Sequence, residues 1–193
     1  MANRAYLYAK KGTEMIAISE YSYEIPIAYK ILVSQNTKRA KSKVFKSPFK
    51  IALRGDFEKG AERLYAFLDE LKKKGYFEEN ELKEKIKETK SFLEKHNDCD
   101  YFHLEGAEIY AYDSRSYFLS NEKMRKKILH IDNEIRNFYQ EMDEIKKRYD
   151  KKYKKMSEGE QNSEGSKKLQ KIKDEMMNSI GIQEWSDYLY YEI

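Results

Sequence analysis

Apolar residues recur at Met124, Ile128, Ile131, Ile135, Phe138, Met142, Ile145, Tyr149 and Met156, in steps of three and four, with Lys152 as the one break. A seam of this period, sustained over several heptads with charges between, predicts one long helix of about 50 Å. Beyond Ser157, Leu169, Ile172, Met176 and Ile180 repeat the same spacing. The stretch 157–166, rich in Gly, Ser and Glu, predicts a linker that folds a second helix antiparallel onto the first.

The N-terminal half has a different rhythm. Arg4 to Ala9 alternates, and Glu14 to Ser19 is a second short apolar run after Gly12, which predicts a hairpin. Pro26 suits the first turn of a short helix running to about Gln35. Ile51 and Leu53 alternate with Lys50, Ala52 and Arg54 as in a half-buried strand. Phe57, Ala61, Leu64, Leu68 and Leu71 line one helical face, and Leu82, Ile86, Phe92 and Leu93 a second, so residues 57–95 predict an αα-hairpin. Tyr101 to Tyr112 returns to alternation, with Gly106 as an expected bulge or turn within one or two strands that rejoin the N-terminal sheet. The closing segment with Trp185, Tyr188 and Leu189 is too apolar for a free tail and is expected to dock. The pattern as a whole predicts an α+β protein. Residues 1–120 form a mainly antiparallel sheet with packed helices, and residues 121–193 a long helical hairpin with a docked end.

Composition changes this picture in two places. Of 193 residues, 37% are charged, which would suggest disorder but for the 14% that are aromatic, 17 of them Tyr. The net charge of +4 is modest, yet its distribution is not. Between Glu24 and Asp56 no acidic residue occurs, while eight Lys and Arg do, among them Lys38, Arg39, Lys41 and Lys43. A second basic run, with Lys147, Arg148 and Lys151, sits at the far end of the heptad stretch with Tyr149 and Tyr153 interleaved. Such clusters suit a polyanion or an acidic protein surface, and equally a solvated loop or helix face.

Candidate chemistry is sparse. One cysteine, Cys99, excludes an intramolecular disulfide and any multi-cysteine metal cage. The N-terminus lacks the apolar run of a signal peptide and no stretch suits a membrane span, so the cytoplasm is the expected location. His103-Leu104-Glu105 matches half of a zinc-deaminase signature whose Cys pair is missing. His96, Cys99 and His103 with Asp100 are close in sequence but fit no familiar zinc spacing. Cys99 as a nucleophile would need His96 or His130 as base, and no local context supports either. Phosphate-binding glycine loops and the nucleophile elbow are also missing, so no catalytic, cofactor or metal residues are expected.

Met1-Ala-Asn-Arg-Ala-Tyr-Leu-Tyr8, Ser19-Glu-Tyr-Ser-Tyr-Glu-Ile-Pro26, Lys30 to Gln35 and Gly55-Asp56-Phe57 resemble an uncharacterised bacterial family that carries a domain of unknown function. The resemblance covers roughly residues 1–112, with this chain more basic over 38–54. It supplies no active site. It implies small cytoplasmic proteins, sometimes encoded near toxin or defence loci, and hence an immunity-like role. The expectation is a non-enzymatic module binding a protein partner, a toxin being one candidate. Nucleic-acid binding through 38–54 and 146–155 is the alternative, and a homodimer through the 124–156 helix a further use of its seam.

Overall fold

The computed structural model describes residues 3–111, 116–157, 163–182 and 184–190, with the side chains of 152–157, 163–166, 168 and 169 left aside. Strand β1 (Arg4–Lys11) turns at Gly12, whose φ of 57° glycine adopts at little cost, into β2 (Glu14–Ser22). Helix α1 (Ile27–Leu32) starts behind Pro26. Strands β3 (Lys38–Ala40) and β4 (Ala52–Asp56) bracket the basic stretch. Asp56 caps helix α2 (Phe57–Lys73) by accepting a bond from the Lys59 amide, and α3 (Glu79–Glu94) folds back beside it. Strand β5 (Tyr101–Glu105) then completes one five-stranded, wholly antiparallel sheet in the order β2-β1-β5-β4-β3.

Strand periodicity divides this sheet into two unlike faces. Ala5, Leu7, Ala9, Leu53, Phe102 and Leu104 point to one side and join the helices in the main core, where the Phe57 and Phe102 rings stack at 4.2 Å. The other face carries Tyr6, Tyr8, His103 and Glu105, and is roofed by Val44 and Leu189 instead of a helix.

One expectation is narrowed and another needs correction. Of the bulge or turn expected at Gly106, the structure shows no bulge. Gly106 ends β5, and the chain enters the short helix α4 (Ala107–Tyr110). A Cβ at 106 would come within 2.7 Å of the Tyr110 hydroxyl and 2.9 Å of Ile25, so any larger residue must displace those side chains. The heptad spine is also not one helix. It is α5 (Tyr117–Leu129) followed by α6 (Ile131–Ser157), broken at His130, whose ψ is 45°. His130 closes α5 through its N–H on the Lys127 carbonyl, and its own carbonyl accepts from Asn133 at 2.9 Å to open α6. Asp132 and Asn133 are poor interior helix formers but suit a first turn, where Asp132 and Glu134 meet the positive end of the helix dipole.

The break lets each half meet a different layer. Asn121 of α5 donates to the carbonyls of Lys50 and Ala52 beside β4. Phe138 of α6 meets Phe67 of α2 edge-on at 5.6 Å, and Tyr76 beyond α2 donates to Asp143. Helix α7 (Ser163–Ile180) begins within the expected linker, while residues 158–162 lie outside the described chain. Ser179 against Met142, and Lys173 beside Tyr149, show that α7 runs antiparallel to α6. Among the described side chains, α7 thus meets the seam from Met142 to Tyr149. The last segment docks through the Ser186 amide on the Ile18 carbonyl and Trp185, which donates to Thr89 and stacks on Phe92.

Candidate functional site

Strand β3 is the outer edge of the sheet, and the loop from Lys41 to Ile51 folds over the polar face behind it. Local turns shape the loop, with Ser42 and Ser47 hydroxyls accepting from the Phe45 and Phe49 amides. Its deepest anchor is Glu105, wholly buried, whose Oε1 accepts the Lys43 amide at 2.6 Å and meets His103 Nε2 at 2.8 Å. His103 is itself 3% exposed. The i, i+2 spacing that matches half of a zinc-deaminase signature puts both side chains on one strand face. That spacing was the available signal for this buried pair, and the loop that covers it was not visible in the pattern.

At the loop's far end Phe49 is 59% exposed and packs on Phe118 of α5, ring centres 5.7 Å apart. Arg39 lies over the other partner of that pair, 5.5 Å from the Phe118 centroid, and binds Glu122 at 2.6 Å. Burial alone would raise the Glu122 carboxyl, but hydrogen bonds from Arg125 and Arg39 outweigh it and hold the group below the usual carboxylate range. Arg39 is therefore structural as well as basic. Among the described residues Lys38, Lys41, Lys43, Lys46 and Lys50 have no ion-pair partner, and all five are exposed. The result is a cationic edge around an exposed aromatic centre.

Lys147, Arg148 and Lys151 stand elsewhere. All three are exposed on α6, and Arg148 lies about 25 Å along that helix from its first residue. Lys146 beside them is paired to Asp150 at 3.2 Å, and Tyr149 is partly buried. None of the exposed large apolar side chains described belongs to α6. Lys38, Arg39, Lys41 and Lys43 thus share one edge with Phe49 and Phe118, while the distal run shares neither.

The polar face beneath the loop holds buried tyrosines. Tyr6 donates to Glu108 at 3.1 Å, and Glu108 also accepts the Arg4 amide at 2.8 Å. Burial, followed by Glu108 for Tyr6 and Glu105 for Tyr8, raises both hydroxyls above the usual tyrosine value. Cys99 is buried too, and burial, reinforced by Asp98, pushes its thiol up to about 11, which suppresses the thiolate. His96 turns to Asp187 at 3.2 Å, His103 to Glu105, and His130 stands in the helix break. These groups do not converge, and among the described residues no three metal-ligating side chains come together.

No helix among the described residues is long and apolar enough to cross a membrane. No curated protein and no solved structure matches the chain. A family model does match it over residues 5–146, through β1 to β5, α5 and the first half of α6, and so beyond the 1–112 stretch in which the resemblance was legible. The sheet, its basic edge and the helix break all lie inside that match, and the chain belongs to the family defined by the Domain of unknown function (DUF7822).

Proposed function

We propose that this protein is a non-enzymatic binding module whose basic edge takes an acidic protein surface. The observation that carries the reading is the coincidence of five lysines without an ion pair among the described residues with the exposed Phe49 ring and the Arg39–Phe118 contact at one edge of the sheet. Interfaces of this kind gain specificity and association rate from the charge and affinity from a few aromatic or Arg anchors. An immunity-like role, in which the protein occupies and neutralises a toxin in the cytoplasm, fits such a surface. The short, Lys-bearing β3 also has a plain structural use, since charged edges resist strand-to-strand aggregation.

A second reading is favoured by the same exposed ring. Phe49 between Lys46 and Lys50 would also serve as a stacking platform for single-stranded nucleic acid. Affinity capture from the source lysate, with and without nuclease, separates the two. Recovery of a protein that survives nuclease and is lost when Lys38, Lys41 and Lys43 are reversed to Glu supports the favoured reading. Capture that nuclease abolishes transfers the function to nucleic acid, and capture untouched by the reversals overturns the assignment of the edge.

A further inference from the structure

A second surface lies on the far side of α5. Phe118, Glu122 and Arg125 follow one another by four and three and face the basic edge, whereas Leu119, Lys123, Met124 and Lys127 lie on the opposite face of the same helix. There they meet the end of β2, the start of α1 and the short α4 to form a groove of about 480 Å³. Ile25, Ile109, Tyr110 and Met124 supply much of its apolar lining. Leu119 and Tyr23 stand at its lips, each 66% exposed.

Two features set this groove apart from an ordinary surface crease. Tyr23 is held at φ 72°, a left-handed conformation that a bulky side chain rarely adopts. Its amide donates to the Asn3 carbonyl at 2.7 Å, which fixes that geometry and leaves the ring standing at the mouth. The rim is also cationic. Lys30 and Lys127 share the single carboxylate of Glu134, at 3.3 and 3.9 Å, and Lys123 has no ion pair among the described residues. Glu24 is the one acid in the lining and interacts with Lys30, so three lysines and one carboxylate leave the lining positive.

A groove of this size, lined by apolar side chains and by Lys123, which has no ion pair among the described residues, is complementary to a small molecule with an apolar body and one anionic head. We propose that the groove between Tyr23 and Leu119 is a binding site for an amphipathic monocarboxylate, its chain over Ile109 and Met124 and its carboxylate at Lys123. The site is separate from the basic edge and is independent of the protein-binding reading. The Lys123 ammonium would donate to the carboxylate, a charge-assisted bond that an equally apolar cation cannot make.

Calorimetric titration of the full chain with decanoate, below its micellar range, tests this against decyltrimethylammonium of the same chain length. The expected result is saturable one-to-one binding of decanoate, little or none of the cation, and a loss of about tenfold or more for Leu119→Asp and for Lys123→Glu. Both side chains are exposed, so an unchanged circular dichroism spectrum should accompany the loss. Lys147→Glu on α6 should bind as the unaltered chain does. Equal binding of anion and cation, binding indifferent to Leu119→Asp and Lys123→Glu, or no binding of decanoate at all would overturn the proposal.

Discussion

The chain carries two basic regions of similar strength in sequence, and the structure gives them unlike surroundings. Along α6, Lys147, Arg148 and Lys151 project from a helix whose apolar side faces α2 and α7, with Lys146 tied to Asp150 and no exposed aromatic ring described nearby. At the β3 edge, Lys38, Lys41 and Lys43 lead into a loop that is pinned from below by Glu105 and from the side by Phe118. A helix that is apolar on one side is polar on the other, so a charged face there also has a structural use. The loop has no such obligation, and its charge surrounds an aromatic centre that water can reach. Clustering of charge does not distinguish the two, but what the backbone is anchored to does.

The largest effect should come from breaking the edge. Reversing Lys38, Lys41 and Lys43 to Glu should weaken binding of the captured partner by about a hundredfold and flatten its salt dependence, each tenfold being about 1.4 kcal/mol. The melting temperature should hardly move, because the three side chains are exposed. An unchanged affinity in a binding titration would remove the edge from the account.

The anchor is next in size. Glu105→Ala deprives the Lys43 amide and His103 of their acceptor, at a cost of about 1–3 kcal/mol in denaturant unfolding. Exchange of the Lys43 amide should quicken more than that of the central strands. Equal protection in the variant would show that the loop is held by other contacts. The smallest effect is expected at the distal run. Reversing Lys147, Arg148 and Lys151 together should change affinity by no more than about twofold and stability by about 0.5 kcal/mol at most, as exposed substitutions usually do. A larger loss of affinity would merge the two regions into one surface.

Much of the fold was legible because its elements are amphipathic with a fixed period. The hairpin at Gly12, the αα-hairpin of α2 and α3, and the antiparallel pair of α6 and α7 follow from it. The break at His130 was hidden for a physical reason. Ile128 and Ile131 are both buried, so the apolar phase runs on across the interruption and a seam count cannot see it. Asp132-Asn133 was the local signal. Strand β3 escaped notice because its three residues, Lys38 to Ala40, are an edge with almost nothing to bury. Of the edge site, the lysines were readable as charge. The Glu105–Lys43 anchor joins residues 62 positions apart, and the Arg39–Phe118 stack joins two elements, so neither leaves a periodic trace.

The claim that the β3 edge is the recognition surface is tested most directly by placing a photoreactive residue on each basic region in turn. With Phe49→p-benzoylphenylalanine and Lys147→p-benzoylphenylalanine in nuclease-treated lysate, irradiation should give a protein adduct from position 49 and none from 147. An adduct from 147 alone, or none from either position, would contradict the account.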